Sequence, residues 1–267
     1  MKKDDFKSIQ LGKGEMNVYD FGNIKLHAYK TNDLLGDEVF LVEKNKKMII
    51  IESPCFFDNI NELTDYIHSL NVSVEGKLLS YHMAGQTFLP EVPVYATQNA
   101  DVYGHSGGGK ALIEKFSGLF GTGFDASLPK VDYYLNEGKI SVSGIKVNII
   151  QTSEAFDIEI PEINAVYIHM LGHDCHSIVA GVGHADVLIA QLNSFKKAGF
   201  QLILTSHYTP EDLKDVETKV NYLEELKKIA LNSKSATDFK AAVAEAYPEY
   251  NGENYLDMTA GFFFPSA

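Results

Sequence analysis

The sequence predicts an α/β protein built as a four-layer αββα sandwich, and three observations carry that prediction. Two apolar strands, KLLSY at 77–81 and FQLILTS at 200–206, each follow an amphipathic helix, and each hands over to a histidine, His82 or His207. The first half runs strands, helix, strand, helix, and the second half runs strands, helix, strand, helices. Two sheets, each covered by helices on one side and packed face to face about 10 Å apart, accommodate that repeat. At 267 residues the chain exceeds the usual domain size only slightly, so a single domain over 1–267 is expected.

Taken in order, a polar leader precedes short strands at 16–21 and 24–31 about a Gly22-Asn23 turn. Strands at 38–43 and 47–53 follow, the latter carrying the Met48-Ile49-Ile50-Ile51 run that suits burial on both faces, and Pro54 ends it. Asp58 is a cap candidate for a helix through Leu70, because Ile60, Leu63, Ile67 and Leu70 recur at intervals of three and four. After the strand at 77–81, another is expected at 92–97, behind Pro90 and Pro93, and then a helix at 111–119.

Between 131 and 170 the pattern is β again, with strands at 131–135, 139–142, 145–151, 157–160 and 165–170 divided by Asn-Glu-Gly, Ser-Gly and Pro-Glu turns. Leu188, Leu192 and Phe195 share one face of a helix at 185–198, with Gly199 as its C-cap. After the strand at 200–206, Thr209-Pro210-Glu211-Asp212 reads as the start of a long helix, with a hydroxyl cap, proline first and acids in the first turn. A last helix is expected over 236–247, before Pro248.

Composition narrows the function. The formal charge is −13, which disfavours phosphate backbones and anionic lipid, so neither nucleic acid nor membrane is expected as a partner. All 23 basic residues are lysine, so bidentate arginine recognition of phosphate or carboxylate is not on offer. Cys55 and Cys175 are too few for a disulfide framework or a cysteine zinc cage. No run approaches the 18 apolar residues of a membrane span, and the charged start lacks a signal-peptide core, so a cytoplasmic protein is expected. Gly104 to Lys110 nearly fits the phosphate-loop pattern, but Ala111 stands where a hydroxyl would reach magnesium, so a flexible turn is the preferred reading.

Five of the nine histidines fall between 169 and 207: His169 at the end of a strand, then His173, His176, His184 and His207. Imidazoles gathered at strand ends are what zinc, iron or manganese would use. A lone strand-end histidine is more often a hydrogen-bonded structural residue, and His173 and His184 read as solvated turn residues. The parallel placement of His82 and His207 is what favours a site.

The order of elements, together with IIIES, the helix after it, KLLSYH, AVYIHM and LILTSH, resembles the metallo-β-lactamase superfamily over nearly the whole chain. The resemblance implies a carboxylate at the end of the strand before the first helix, where Glu52 stands. It also implies a two-metal HxHxDH motif where this chain has His82-Met83-Ala84-Gly85-Gln86-Thr87, so that Ala84, Gln86 and Thr87 replace three of the four ligands. The superfamily's next histidine falls near Ser153 and Glu154, its bridging aspartate corresponds to His169, and its final histidine to His207. His176 lies about where some members carry a further histidine.

What these positions can still build is a single-metal site of His82, His169 and His207, with Glu154 or His176 as a further ligand and one position left open. The expected function is hydrolysis of a small ester, lactone or amide with one divalent ion, zinc first and iron or manganese as alternatives. The competing reading is a metal-free protein that binds a small molecule or protein partner in the same cleft. A nucleotide-binding protein using the Gly104 to Lys110 loop is the third reading, and a homodimer is left open.

Overall fold

The structure, a computed structural model, describes residues 2–265. The chain divides into two compact units, one running to Met170 and resuming over Gln201–Pro210, the other comprising Leu171–Phe200 and the residues from Glu211 onward.

The first unit contains both sheets. In the first sheet, β1 (Lys7–Gln10), β2 (Glu15–Asp20), β3 (Ile24–Lys30), β4 (Glu38–Lys44) and β5 (Lys47–Ile51) form an antiparallel meander. Helix α1 (Phe57–Leu70) then crosses to β6 (Ser73–Leu78), which is parallel to β5. The sheet is completed by β7 (Val94–Thr97) and, after α2 (Gln98–Ser106) and α3 (Gly108–Phe120), by β8 (Tyr133–Leu135). The second sheet repeats the plan. A meander of β9 (Gly138–Val142), β10 (Ile145–Gln151), β11 (Phe156–Ile160) and β12 (Ala165–Ile168) is followed by β13 (Leu202–Thr205), parallel to β12, and by the edge strand β14 (Tyr208–Glu211).

The Met48-Ile49-Ile50-Ile51 run is apolar throughout because both faces of β5 are covered. Ile49 and Ile51 join Leu26, Phe40 and Leu78 against Val147, Ile149, Ile158, Leu202 and Leu204 of the second sheet. Met48 and Ile50 face the other way, onto Ile60, Leu63 and Ile67 of α1. Packing rather than capping holds this helix. Its N-cap is Phe56, which makes no side-chain cap bond, and the expected cap Asp58 lies in the first turn. Burying each Ile or Leu is worth roughly 1.5–3 kcal/mol, more than the about 1 kcal/mol of a cap.

The second unit holds α4 (Val182–Ala198), α5 (Leu213–Asn232), α6 (Ala236–Ala246) and α7 (Glu253–Phe263). Gly199 ends α4 in the left-handed region, as its place in the sequence requires. Val216, Leu223 and Leu226 of α5 are buried, and Phe239 of α6 stacks on Phe263 of α7.

Several elements differ from expectation. Residues 209–212 do not open a helix: Pro210 sits in the edge strand β14, where a missing N–H costs little, and α5 starts from Asp212, which forms a capping box with Asp215. Residues 7–10, read as leader, are the edge strand β1. The glycine-rich stretch is no strand-to-helix phosphate loop, because it is the end of α2, a break at Gly107 and the start of α3. No described helix is long and apolar enough to cross a membrane. The four-layer αββα class expected from the sequence is the class of the solved structures that this mixed α/β chain matches.

Candidate metal centre

Chain register brings the imidazoles together. Strands β12 and β13 are parallel neighbours with Ile168 opposite Thr205, so His169 and His207 leave the sheet at the same end. The Ser206 amide donates to the His169 carbonyl at 3.0 Å, which fixes the two exits together. Strand β6 stops at Leu78, earlier than expected, so His82 lies on a loop rather than on a strand end. Even so, its ring reaches the other two. Ring centroids are 5.0 Å apart for His82 and His207, 5.2 Å for His169 and His207, and 5.6 Å for His82 and His169. One nitrogen from each lies within 4.8 Å of the others. The side chains of His82 and His207 keep 20% and 23% of their surface in solvent, so the cluster is reachable from outside.

Two buried charged residues hold the His82 loop. The Glu52 carboxylate accepts the amides of Tyr81 at 2.8 Å, His82 at 3.0 Å and Ser80 at 3.4 Å. Glu52 also accepts the Tyr167 hydroxyl, which in turn lies 2.6 Å from the Ser206 hydroxyl, so one carboxylate ties the His82 loop to the residue before His207. Lys77, buried in β6, donates to the carbonyls of Phe88 at 2.6 Å and Leu89 at 3.0 Å and anchors the far end of the loop. Burial there lowers the lysine pKa to about 8, with Glu91 and Asp132 opposing. Tyr81 stacks on the His169 ring at 4.5 Å.

One carboxylate faces the cluster. Asp37, only 2% exposed, comes from the turn between β3 and β4 and places Oδ1 3.2 Å from His207 Nδ1 and 3.9 Å from His82 Nδ1. Beyond these contacts, Asp37 Oδ1 and His82 Nδ1, both buried atoms, have no hydrogen-bond partner. Burial would raise the Asp37 pKa, but the charges of His82 and His207 outweigh it and hold the group below its ordinary value. For His207, burial works downward and the ion pair with Asp37 prevails, raising the pKa. Burial, then the charges of His82 and His207, pushes His169 well below the usual imidazole range. Nothing in the local pattern of LLGDEVF singles out Asp37, since an aspartate before a strand is an ordinary turn residue.

The other expected ligands are not members of this group. Glu154 is exposed in the turn between β10 and β11 and is not a member of the cluster. His176 belongs to the second unit, where it is buried with Nδ1 3.1 Å from the Tyr222 hydroxyl and its ring against Tyr250. Of the positions that depart from HxHxDH, Thr87 donates its amide and hydroxyl to Asp125, which makes it a structural residue. His173, with Glu211 and Asp215, forms a second group of possible ligands, in the second unit. Its carboxylates already accept backbone amides: Glu211 those of Gly172 and His173, Asp215 that of Asp212.

Three imidazoles that converge beside a buried carboxylate are the kind of donors a divalent cation takes. The donor set fits such an ion, since imidazole nitrogens ligate several divalent transition metals.

With this geometry in place, solved structures give the class. The chain has the metallo-β-lactamase fold. It matches a metallo-β-lactamase family protein of Thermus thermophilus with a TM-score of 0.62 at 11% identity, covering 90% of this chain and 91% of that one. It matches the DIM-1 metallo-β-lactamase with a TM-score of 0.53 at 14% identity, over 81% and 99%. A stereoselective inverting sec-alkylsulfatase from Pseudomonas sp. matches with a TM-score of 0.64 at 12% identity over 89% of this chain, which spans about half, 48%, of that protein. No family model matches the sequence, and no curated protein does.

Proposed function

We propose that the chain is a metal-dependent hydrolase using one divalent ion, zinc first, held by His82, His169 and His207. The observation that carries this reading is the convergence of the three imidazoles, one nitrogen from each within 4.8 Å of the others, beside the buried Asp37 carboxylate. A divalent ion there would supply Lewis acidity and lower the pKa of water toward about 7. Around it, the residues of this chain set orientation: Glu52 fixes the His82 loop, Tyr81 packs on His169, and Asp37 supplies the negative charge.

The proposed substrate is a small uncharged ester, lactone or amide. With no arginine in the chain and a carboxylate at the centre, an anionic substrate such as a sulfate ester meets no bidentate cation. Superfamily fold and a histidine-rich site support hydrolysis, while the replacement of three motif positions argues for one ion rather than two.

Elemental analysis of protein purified without chelators or a metal-affinity column tests this. One equivalent of metal is expected, and His169→Ala should lower bound metal and hydrolysis of an ester panel together, whereas Lys110→Ala should change neither. If the protein carries no metal, takes up none at micromolar zinc, manganese or iron, and hydrolyses no substrate, the chain is a binding protein on a hydrolase fold.

A further inference from the structure

Resting on the single-ion reading above, we propose that Asp37 is a positioning residue shared by two of the three histidines. It takes the Nδ1–H of both His82 and His207 and so turns the Nε2 of each ring toward the metal.

Both rings present Nδ1, not Nε2, to the same oxygen, at 3.2 Å for His207 and 3.9 Å for His82. Asp37 is not a member of the three-histidine group, and its contacts are with the Nδ1 atoms of two of those rings, which leaves their Nε2 atoms free for a metal. The two atoms are complementary. His82 Nδ1 and Asp37 Oδ1 are both buried, and apart from the His207 ion pair neither has another polar partner, so a small ring rotation that closes the 3.9 Å gap satisfies both.

The carboxylate is fixed for this task. Its residue's carbonyl accepts the Thr31 amide and hydroxyl at 3.1 and 2.8 Å, and Cys55 Sγ donates to Oδ2 at 3.5 Å, which leaves Oδ1 for the imidazoles. The next residue, Glu38, donates its amide to the Ser206 carbonyl at 2.6 Å, so Asp37 and His207 sit on directly bonded segments. A ligating histidine whose other nitrogen is held by a carboxylate has a fixed tautomer and a more basic metal-facing atom, and loss of such a partner costs roughly 10–100-fold in metal affinity.

Asp37→Asn in the full chain tests the assignment, with Asp37→Glu as the conservative variant. In metal-free, histidine-labelled wild type in alkaline buffer, nitrogen NMR should show His82 and His207 protonated at Nδ1, and Asp37→Asn should shift that tautomer balance. Zinc competition should give an affinity about 10–100-fold weaker for Asp37→Asn, partly restored in Asp37→Glu. The cobalt absorption bands should keep their shape in the variants. Protonation at Nε2 in the wild type, an unchanged zinc affinity, or a changed cobalt band pattern marking Asp37 as a ligand each overturn the proposal. If Asp37→Asn does not fold, the wild-type tautomers decide. Should the wild type take up no metal, the hydrolase reading fails while the tautomer measurement still decides the role of Asp37.

Discussion

The His82 amide donates to the Glu52 carboxylate at 3.0 Å, and this bond, not a strand end, fixes the first histidine of the cluster. Glu52 adopts a left-handed backbone (φ 67°), a conformation that costs a bulky residue about 1–2 kcal/mol. Its carboxylate offsets that through three amides and the Tyr167 hydroxyl.

Glu52→Gln keeps the shape but turns an NH₂ group toward donors that need an acceptor. A loss of about 2–3 kcal/mol in unfolding free energy is expected, together with weaker metal uptake, because the His82 loop loses its anchor. Urea titration and zinc competition on the same preparation check it. Full stability with unchanged uptake would show that the loop is held elsewhere.

Gly85 is the second constraint on that loop. Its φ is +85°, and a Cβ would lie 2.3 Å from the Pro54 carbonyl oxygen. Gly85→Ala therefore meets both a backbone penalty and a clash with main chain that cannot rotate away. About 2–3 kcal/mol should be lost, lowering the melting temperature by roughly 5–10 °C. A melting curve that overlays the wild type would contradict the turn geometry.

The two thiols should be silent in the native state. Cys55 and Cys175 are 5% and 4% exposed, and burial, followed by the Asp37 and Asp33 charges, raises the Cys55 pKa well above the ordinary thiol value. Ellman's reagent should find no reactive thiol in folded protein and two in guanidinium, in keeping with two free cysteines. Rapid labelling of Cys55 in the native state would mean that the Asp37 pocket opens.

Local signals make most of the fold legible. The double-sided β5 run, the alternating strands around the Ser-Gly turn and the α4 periodicity all reappear as elements, since each is written within a short window. His82 and His207 can be read because each follows an apolar strand, and His169 because the resemblance aligns it with a ligand position; the parallel register of β12 and β13 is what brings His169 beside His207. Asp37 cannot: its importance comes from β3–β4 turn placement beside two distant loops, and no spacing in the sequence encodes that. Glu154 and His176 are suggested by the resemblance, which aligns positions along the chain and says nothing about side-chain direction. One side chain faces solvent and the other Tyr222 in the second unit. Pro210 shows how a helix-start signature and an edge-strand signature coincide, because both positions tolerate a residue without an N–H.

The last prediction concerns the second unit, where His173 Nδ1 lies 2.8 Å from Glu211 Oε1 and 3.7 Å from Asp215 Oδ1. The Glu211 bond raises the His173 pKa, with burial opposing and Asp215 and Asp174 adding to the rise. A histidine whose pKa is higher folded than unfolded stabilises the fold fully below the unfolded value, about 6.5, and that contribution is lost as pH rises through the folded value. His173→Gln should therefore be least stable relative to wild type in mildly acid buffer. The gap should narrow as pH rises, leaving only the difference between a neutral imidazole and an amide as partner for Glu211. Urea titrations of both proteins in chelating buffer, stepped from mildly acid to mildly alkaline pH, measure this directly. A difference that stays constant across that range would show that His173 carries no charge in the folded state, and that Glu211 is held by the backbone amides of Gly172 and His173 alone.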